Sequence, residues 1–185
     1  MKKVSKILVT MGLILILGSA SLNIYTKYKE SQAKNKFTEK ISEVSDSVTE
    51  DVKLGDEIAL IDIESINLSS VIVSGINKEQ IRYYVGHFEN TPMPGENGNF
   101  SIAGHRSTIY NQVFNNIDKL NKGDEIVVTS TNGKFTYEVN EIFETEATNM
   151  SVLNQDNEIK EMTIVTCTKT GKERVIVKAI LKEEV

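Results

Sequence analysis

The stretch Thr163-Ile164-Val165-Thr166-Cys167-Thr168-Lys169-Thr170-Gly171-Lys172-Glu173-Arg174 decides the fold, because it reads as a strand, a turn and the start of a second strand. β-Branched residues fill the first part, and Gly171 is free to take a positive φ. With Thr170-Gly171 as a two-residue loop, 169 faces 172, 168 faces 173, and Cys167 faces Arg174 directly. Side chains at such a pair share one face, with Cβ atoms about 5 Å apart. Cys167 is the single cysteine in 185 residues, so it has no partner in its own chain and is either inert packing or a reagent. A guanidinium beside a thiol stabilises a thiolate, or an oxyanion forming on a carbonyl that the thiolate attacks.

Working outward from this hairpin, β-branched content and alternation predict strands near 57–63, 68–73, 100–104, 125–130, 134–143, 161–167 and 173–181. Phe135, Tyr137 and Val139 alternate with Thr136, Glu138 and Asn140, and Asn132-Gly133 just before them is a hairpin turn signal. Short helices fit around 78–85 and 109–116. Short strands joined by hairpins predict an all-β domain, a closed or nearly closed barrel rather than a layered α/β fold. Residues 56–185 are the right length for one such domain.

The N-terminal part has a different character. From Ile7 to Thr26 there is no charged residue, and Lys2, Lys3 and Lys6 precede the run while Lys27 follows it. About twenty apolar residues suffice to cross a bilayer as a helix. The lysines before the run predict residues 1–6 as a cytoplasmic tail, 7–26 as a transmembrane anchor, and the remainder outside the cell. A cleavable signal peptide is the alternative, since Gly18-Ser19-Ala20-Ser21 offers small residues for cleavage. Residues 27–55 are rich in Lys, Glu, Ser, Asp and Gln, which predicts a solvated spacer. Phe37, Ile41, Val44, Val48 and Val52 recur at three- and four-residue spacing, so a helix docked on the domain is the other reading. Four of the 21 Lys+Arg flank the apolar run, leaving 17 against 26 Asp+Glu beyond it, a formal charge of −9 that excludes nucleic acid as a partner.

A thiol that transfers acyl groups needs a proton shuttle, and the chain has two histidines. His105 ends Asn99-Phe100-Ser101-Ile102-Ala103-Gly104-His105, so a strand carries it to a rim. His87, in Gly86-His87-Phe88, leads into the loop Thr91-Pro92-Met93-Pro94-Gly95. On chemistry alone either one serves Cys167.

Ala103-Gly104-His105 after an apolar strand, Thr163-Ile164-Val165-Thr166-Cys167 at a later strand end, and Arg174 opening the final strand together resemble the sortases over roughly residues 56–185. The family motif Thr-Leu-x-Thr-Cys is met here with Ile164 in place of Leu. The resemblance implies a β-barrel of about eight strands on the outer face of a Gram-positive membrane. It implies Cys167 as nucleophile, His105 as general acid and base, and Arg174 as oxyanion or substrate stabiliser, and leaves His87 a structural or groove-lining role. The implied reaction cleaves a Leu-Pro-x-Thr-Gly-like sorting signal of surface proteins between Thr and Gly. The acyl group then passes to a peptidoglycan precursor or cross-bridge amine.

The same hairpin register places Val165 opposite Ile176 on the face of Cys167 and Arg174, as an apolar floor for the signal. Ala103, and Val152 and Leu153 in the 144–160 connection, are expected walls; Thr166 is included beside the nucleophile although alternation turns it towards the core. No cofactor is expected. No metal is expected either, because Asn90, Met93 and Asn97 stand where some class A sortases carry calcium-binding acids. The absence of an Asp-Pro-aromatic lid and the short 144–160 connection leave a class D or class A-like enzyme. Two rival readings stay open: an L,D-transpeptidase, whose motif places Ser-His-Gly before the cysteine where this chain has Ile-Val-Thr, and a non-enzymatic surface β-domain with a buried cysteine.

Overall fold

The computed structural model describes residues 2–43, 52–106 and 112–185. Eight strands follow a long N-terminal helix, α1 (Lys2–Glu43): β1 (Glu57–Ile63), β2 (Leu68–Ser74), β3 (Val85–His87), β4 (Gly98–Ala103), β5 (Glu125–Ser130), β6 (Gly133–Glu146), β7 (Lys160–Cys167) and β8 (Glu173–Glu184). They close into a barrel in the order β1-β2-β3-β4-β7-β8-β6-β5. The all-β barrel expected from the sequence is thus present, with one addition. β3 was not foreseen: the helix expected over 78–85 is only α2 (Lys78–Ile81), and the chain turns at once into three strand residues paired parallel to β2 and antiparallel to β4. Of the helix expected over 109–116, residues 109–111 lie outside the described residues, and the described remainder is a turn leading to a 3-10 helix at Ile117–Lys119.

The interior is filled by one face of each long strand. Ile61 and Ile63 of β1, Ile126 and Val128 of β5, Tyr137 and Val139 of β6, and Val177 and Ala179 of β8 are all shut off from solvent. Tyr137 is the largest of the buried side chains, and its hydroxyl accepts a hydrogen bond from the Gly95 amide at 2.8 Å. Burial pushes its pKa up to about 12, so it remains a neutral phenol. The β5–β6 turn falls one residue before the Asn132-Gly133 signal: Thr131-Asn132 form the two-residue loop, and Gly133, at φ 145, pairs with Ser130 as the first residue of β6.

α1 corrects the reading of residues 27–55 as a free spacer. The helix runs unbroken from the apolar segment to Glu43, and its second half lies on the outer wall of the barrel. Ala33 and Phe37 are buried there with Val71, against Ile41, Leu60 and Tyr84. Ser70 donates to Glu30 at 2.8 Å, Lys34 donates to Ser69 at 2.6 Å, and Lys36 pairs with Glu57 at 2.6 Å. The i, i+4 spacing of Phe37 and Ile41 therefore serves docking; Val44 and Val48 lie outside the described residues, and Val52 is exposed. The apolar part of α1 is long and apolar enough to cross a membrane, and none of that apolar window is buried against the barrel.

Candidate active site

Three neighbouring strands bring the sequence-predicted residues to one end of the barrel. β4 and β7 run parallel with Ala103 opposite Val165, so the chain two residues further on places His105 beside Cys167. The exit of β4 is tied to β7 twice: the Gly104 amide donates to Val165 O at 3.3 Å, and Thr166 Oγ1 donates to Gly104 O at 2.8 Å. A Cβ on Gly104 would lie 2.8 Å from the Phe114 ring, so only glycine allows that ring to close over the strand end. Phe114 in turn donates its amide to His105 O at 3.1 Å. On the other side, β7 and β8 are antiparallel with Cys167 opposite Arg174, which puts the thiol between the imidazole strand and the guanidinium strand.

The hairpin that sets this register is built differently from the expected one. Its turn is closed by Gly171 N donating to Thr168 O at 3.0 Å, with Lys169-Thr170 at the centre and Gly171 at φ 74. Lys169–Lys172 thus form a four-residue loop rather than a two-residue one. The threonine hydroxyls accompany the difference: Thr168 Oγ1 lies 3.1 Å from Thr170 Oγ1 and accepts from the Glu173 amide at 3.4 Å, while the Thr168 amide donates to Glu173 O at 3.0 Å and closes the wider loop. Gly171 in the left-handed region restores the register, so Cys167 still meets Arg174.

Cys167, His105 and Arg174 are each half-buried, reachable from solvent but shielded from it. Burial lowers the pKa of His105, so its imidazole is more fully neutral at pH 7 than an exposed histidine. One guanidinium nitrogen of Arg174 donates to Glu173 O at 3.3 Å, steadying the fork at the root of the loop. Such a trio can perform nucleophilic acyl transfer: a sulfur to attack, an imidazole to move a proton, and a cation to receive developing negative charge.

A sortase-domain family model matches residues 61–182, which contain all eight strands in whole or part and all three of these residues. The chain belongs to the sortase family. Sortase D of Bacillus subtilis (strain 168) is 30% identical over 142 residues, covering 77% of this chain and 64% of that protein. Sortase A of Streptococcus agalactiae serotype III (strain NEM316) is 26% identical over 163 residues, covering 85% of this chain and 64% of that one. The match therefore spans less than two thirds of the length of these curated relatives. Among solved structures, a Clostridium perfringens Sortase D5 transpeptidase superposes with a TM-score of 0.72 at 51% identity, covering 88% of this chain and 99% of that one.

His87 occupies a different place in this sortase. It is 3% exposed on β3, with Nε2 3.1 Å from Pro92 O and 3.0 Å from Thr91 Oγ1, and its ring lies against Phe100. Burial lowers its pKa, and the ring is packed into the wall rather than presented to Cys167.

The expected groove residues divide. Ala103, Leu153 and Val165 are partly exposed. Thr166 does not belong with them: it is 2% exposed and spends its hydroxyl on Gly104 O, because alternation along β7 turns it inwards. Ile176 pairs with Val165 as expected but is wholly buried, so it underlies the floor rather than forming its surface. Val152 is also buried, and its contribution is a backbone carbonyl.

Two polar assemblies went unread in the sequence. Asn99, fully buried on β4, donates from Nδ2 to Val152 O at 3.0 Å and Asn154 O at 3.2 Å, and accepts from Thr163 Oγ1 at 2.6 Å. It pins the connection that carries Leu153 against the strands of the site. Asp118 pairs with Arg106 at 2.8 Å and with Lys169 at 2.9 Å, joining the residue after His105 to the loop after Cys167. The hydrogen bond from Lys169 and the charge of Arg106 lower the Asp118 pKa. The only sequence signal for Asn99 was a polar residue, with Ser101, in a strand otherwise made of apolar residues and glycine.

Proposed function

We propose that this sortase is a membrane-anchored cysteine transpeptidase with Cys167, His105 and Arg174 as its catalytic residues. The observation that carries the reading is the β4-β7-β8 register, which sets an imidazole and a guanidinium on either side of the one thiol. In the first half-reaction, Cys167 as thiolate attacks the Thr carbonyl of a Leu-Pro-x-Thr-Gly-like signal, and Arg174 stabilises the oxyanion. The C–N bond breaks as His105, protonated, gives its proton to the leaving Gly amine, and a thioester remains on Cys167. In the second, an amine of the cell wall attacks the thioester, His105 takes its proton, and the thiolate leaves. Burial lowers the His105 pKa, which makes the imidazolium that must protonate the leaving amine scarcer at neutral pH. A slow enzyme follows.

The likeness to Sortase D proteins supports a class D assignment, and the apolar half of α1 supports a single span with its lysine-flanked N-terminus in the cytoplasm and the barrel outside. Ala103, Val165 and Leu153 line the peptide groove in this reading. The test is intact-mass analysis of the protein mixed with a Leu-Pro-x-Thr-Gly-type peptide. An adduct ending at Thr, lost in Cys167→Ala and discharged by an added amine, is expected. Cleavage without any thioester on Cys167 would overturn the proposal.

A further inference from the structure

The β4–β7 ladder ends at Ala103 and Val165, two residues short of His105 and Cys167. The pairing of these strands therefore stops before the two groups that must act on one substrate bond. On the near side the gap is closed by the Gly104 amide donating to Val165 O at 3.3 Å and Thr166 Oγ1 donating to Gly104 O at 2.8 Å. On the far side stands one carboxylate. Asp118 Oδ2 is 2.8 Å from Arg106 Nη2, on the residue after His105, and 2.9 Å from Lys169 Nζ, two residues after Cys167. His105 and Cys167 are thus enclosed by a ring of contacts, with Gly104 and Thr166 before them and Arg106, Asp118 and Lys169 beyond them.

Asp118 is presented from a fixed base. It is the middle residue of the 3-10 helix Ile117–Lys119, whose Ile117 amide donates to Phe114 O at 3.2 Å, while the Phe114 amide donates to His105 O at 3.1 Å. Phe114 and Ile117 are wholly buried. The carboxylate therefore moves with the chain that carries the imidazole, and Lys169 is the arm that holds the loop after the thiol to it.

The two arms differ in kind. Arg106 is 4% exposed, its Nε has no hydrogen-bond partner among the described residues, and its one ion pair among them is with Asp118. That arm balances a charge which water does not reach, so breaking it is costly. The Lys169 side chain is 76% exposed, so its arm is weak, screened by salt and readily remade.

We propose that Asp118 is a positioning residue: it holds the loop after Cys167 at a set distance from the chain of His105, so that one scissile bond meets the sulfur and the imidazole together. The proposal rests on the transpeptidase reading above. Acyl transfer is steep in this distance, since a misplacement of about 1 Å costs up to about 10²-fold in rate. The contribution of Asp118 therefore belongs to kcat rather than to KM.

The test is steady-state cleavage of a Leu-Pro-x-Thr-Gly-type peptide, beside thermal melts, by variants of the full chain. Lys169→Met removes the exposed arm and keeps its stem. Its Tm should stay within about 2 °C of wild type and its KM unchanged, while kcat falls about threefold to fivefold, the range of one exposed ion pair. Lys169→Arg restores the charge and should restore kcat. Raising salt from about 0.05 M to about 0.5 M should lower the wild-type kcat by a similar factor and leave that of Lys169→Met unmoved. Asp118→Asn leaves Arg106 unbalanced, so Tm drops, and kcat falls about tenfold or more. Adding Lys169→Met to Asp118→Asn should lower kcat no further, because the lysine acts through the carboxylate. Wild-type kcat in Lys169→Met at low salt, a loss that appears in KM instead, or additive losses in the double variant overturns the proposal. If Asp118→Asn does not fold, the two Lys169 variants and their salt dependence decide it alone. A wild-type chain that forms no thioester on Cys167 removes the transpeptidase reading and the positioning role together; one that does, beside an unimpaired Lys169→Met, removes the positioning role only.

Discussion

Arg174→Lys separates the geometry of the guanidinium from its charge. Arg174 stands directly across from Cys167 in the register, so the Cβ atoms are about 5 Å apart, and in the proposed mechanism the fork turns to the oxyanion formed at the sulfur. Lysine keeps the charge and most of the length but replaces a planar, fixed fork with a single rotating ammonium. Losing one oriented oxyanion donor costs roughly 10²-fold to 10³-fold in kcat, or about 2.7–4 kcal/mol of transition-state stabilisation. Folding should barely register the change, because Arg174 is half-exposed and its bond within the described residues is to the carbonyl of its own neighbour, Glu173. A loss of under about 1 kcal/mol, a few degrees in Tm, is expected. The assay is steady-state cleavage of a fluorogenic Leu-Pro-x-Thr-Gly-type peptide beside a thermal melt. The reasoning predicts a kcat lowered by about 100-fold with KM and Tm nearly unchanged. A variant that keeps more than about a tenth of the wild-type kcat shows that charge alone suffices and that the fork is not aimed at the oxyanion.

Asn99→Ala strands the carbonyls of Val152 and Asn154 and the hydroxyl of Thr163, each at about 1–3 kcal/mol if left unsatisfied; Tm should drop by several degrees and KM for the peptide should rise more than kcat falls, as the Leu153 connection loosens. His87 and His105 both have folded-state pKa values lowered by burial, so the unfolded chain binds protons first and stability declines as pH falls through about 6.5 and below. His87→Gln, which keeps a donor for Pro92 O, should flatten that decline in urea melts at stepped pH while sparing turnover; an unchanged slope would show that His87 is not its source. Millimolar calcium should leave kcat/KM unchanged, since no cluster of three or more His, Cys, Asp or Glu suited to a metal occurs among the described residues; severalfold stimulation would contradict this.

What the sequence disclosed follows the range of the interactions concerned. The β7–β8 and β5–β6 hairpins were legible because alternation marks the strands and a local glycine marks each turn, although the β5–β6 loop lies one residue earlier than the glycine signal, at Thr131-Asn132. The turn type at 168–171 was not, since the threonine hydroxyls that accompany the wider loop went unread, yet the register survived the error. β3 was invisible: three residues carry no period, and its partners come from β2 and β4 rather than from a hairpin. Docking of α1 was one of two readings that the spacing of Phe37 and Ile41 left open, and the structure takes it up: β2 is buried at six of seven positions, more than a sheet with one wet face allows. Of the site, Cys167 and Arg174 could be paired from local register alone, whereas His105 was preferred to His87 on the family resemblance, because the parallel β4–β7 pairing that brings its strand end beside Cys167 leaves no local signal. Asn99 and Asp118 act through partners that folding brings from distant parts of the chain.

The docked half of α1 also changes what counts as the domain. Leu60, Val71 and Tyr84 form an apolar strip on the outer wall that Ala33 and Phe37 cover. A soluble fragment begun at Tyr28 carries its own cover, whereas one begun at Val52 leaves the strip bare and offers it to a second copy of itself. Light scattering of the two fragments would show the longer one monomeric and the shorter one self-associating. For this barrel, the segment that looks like a tether in composition is the last piece of its wall.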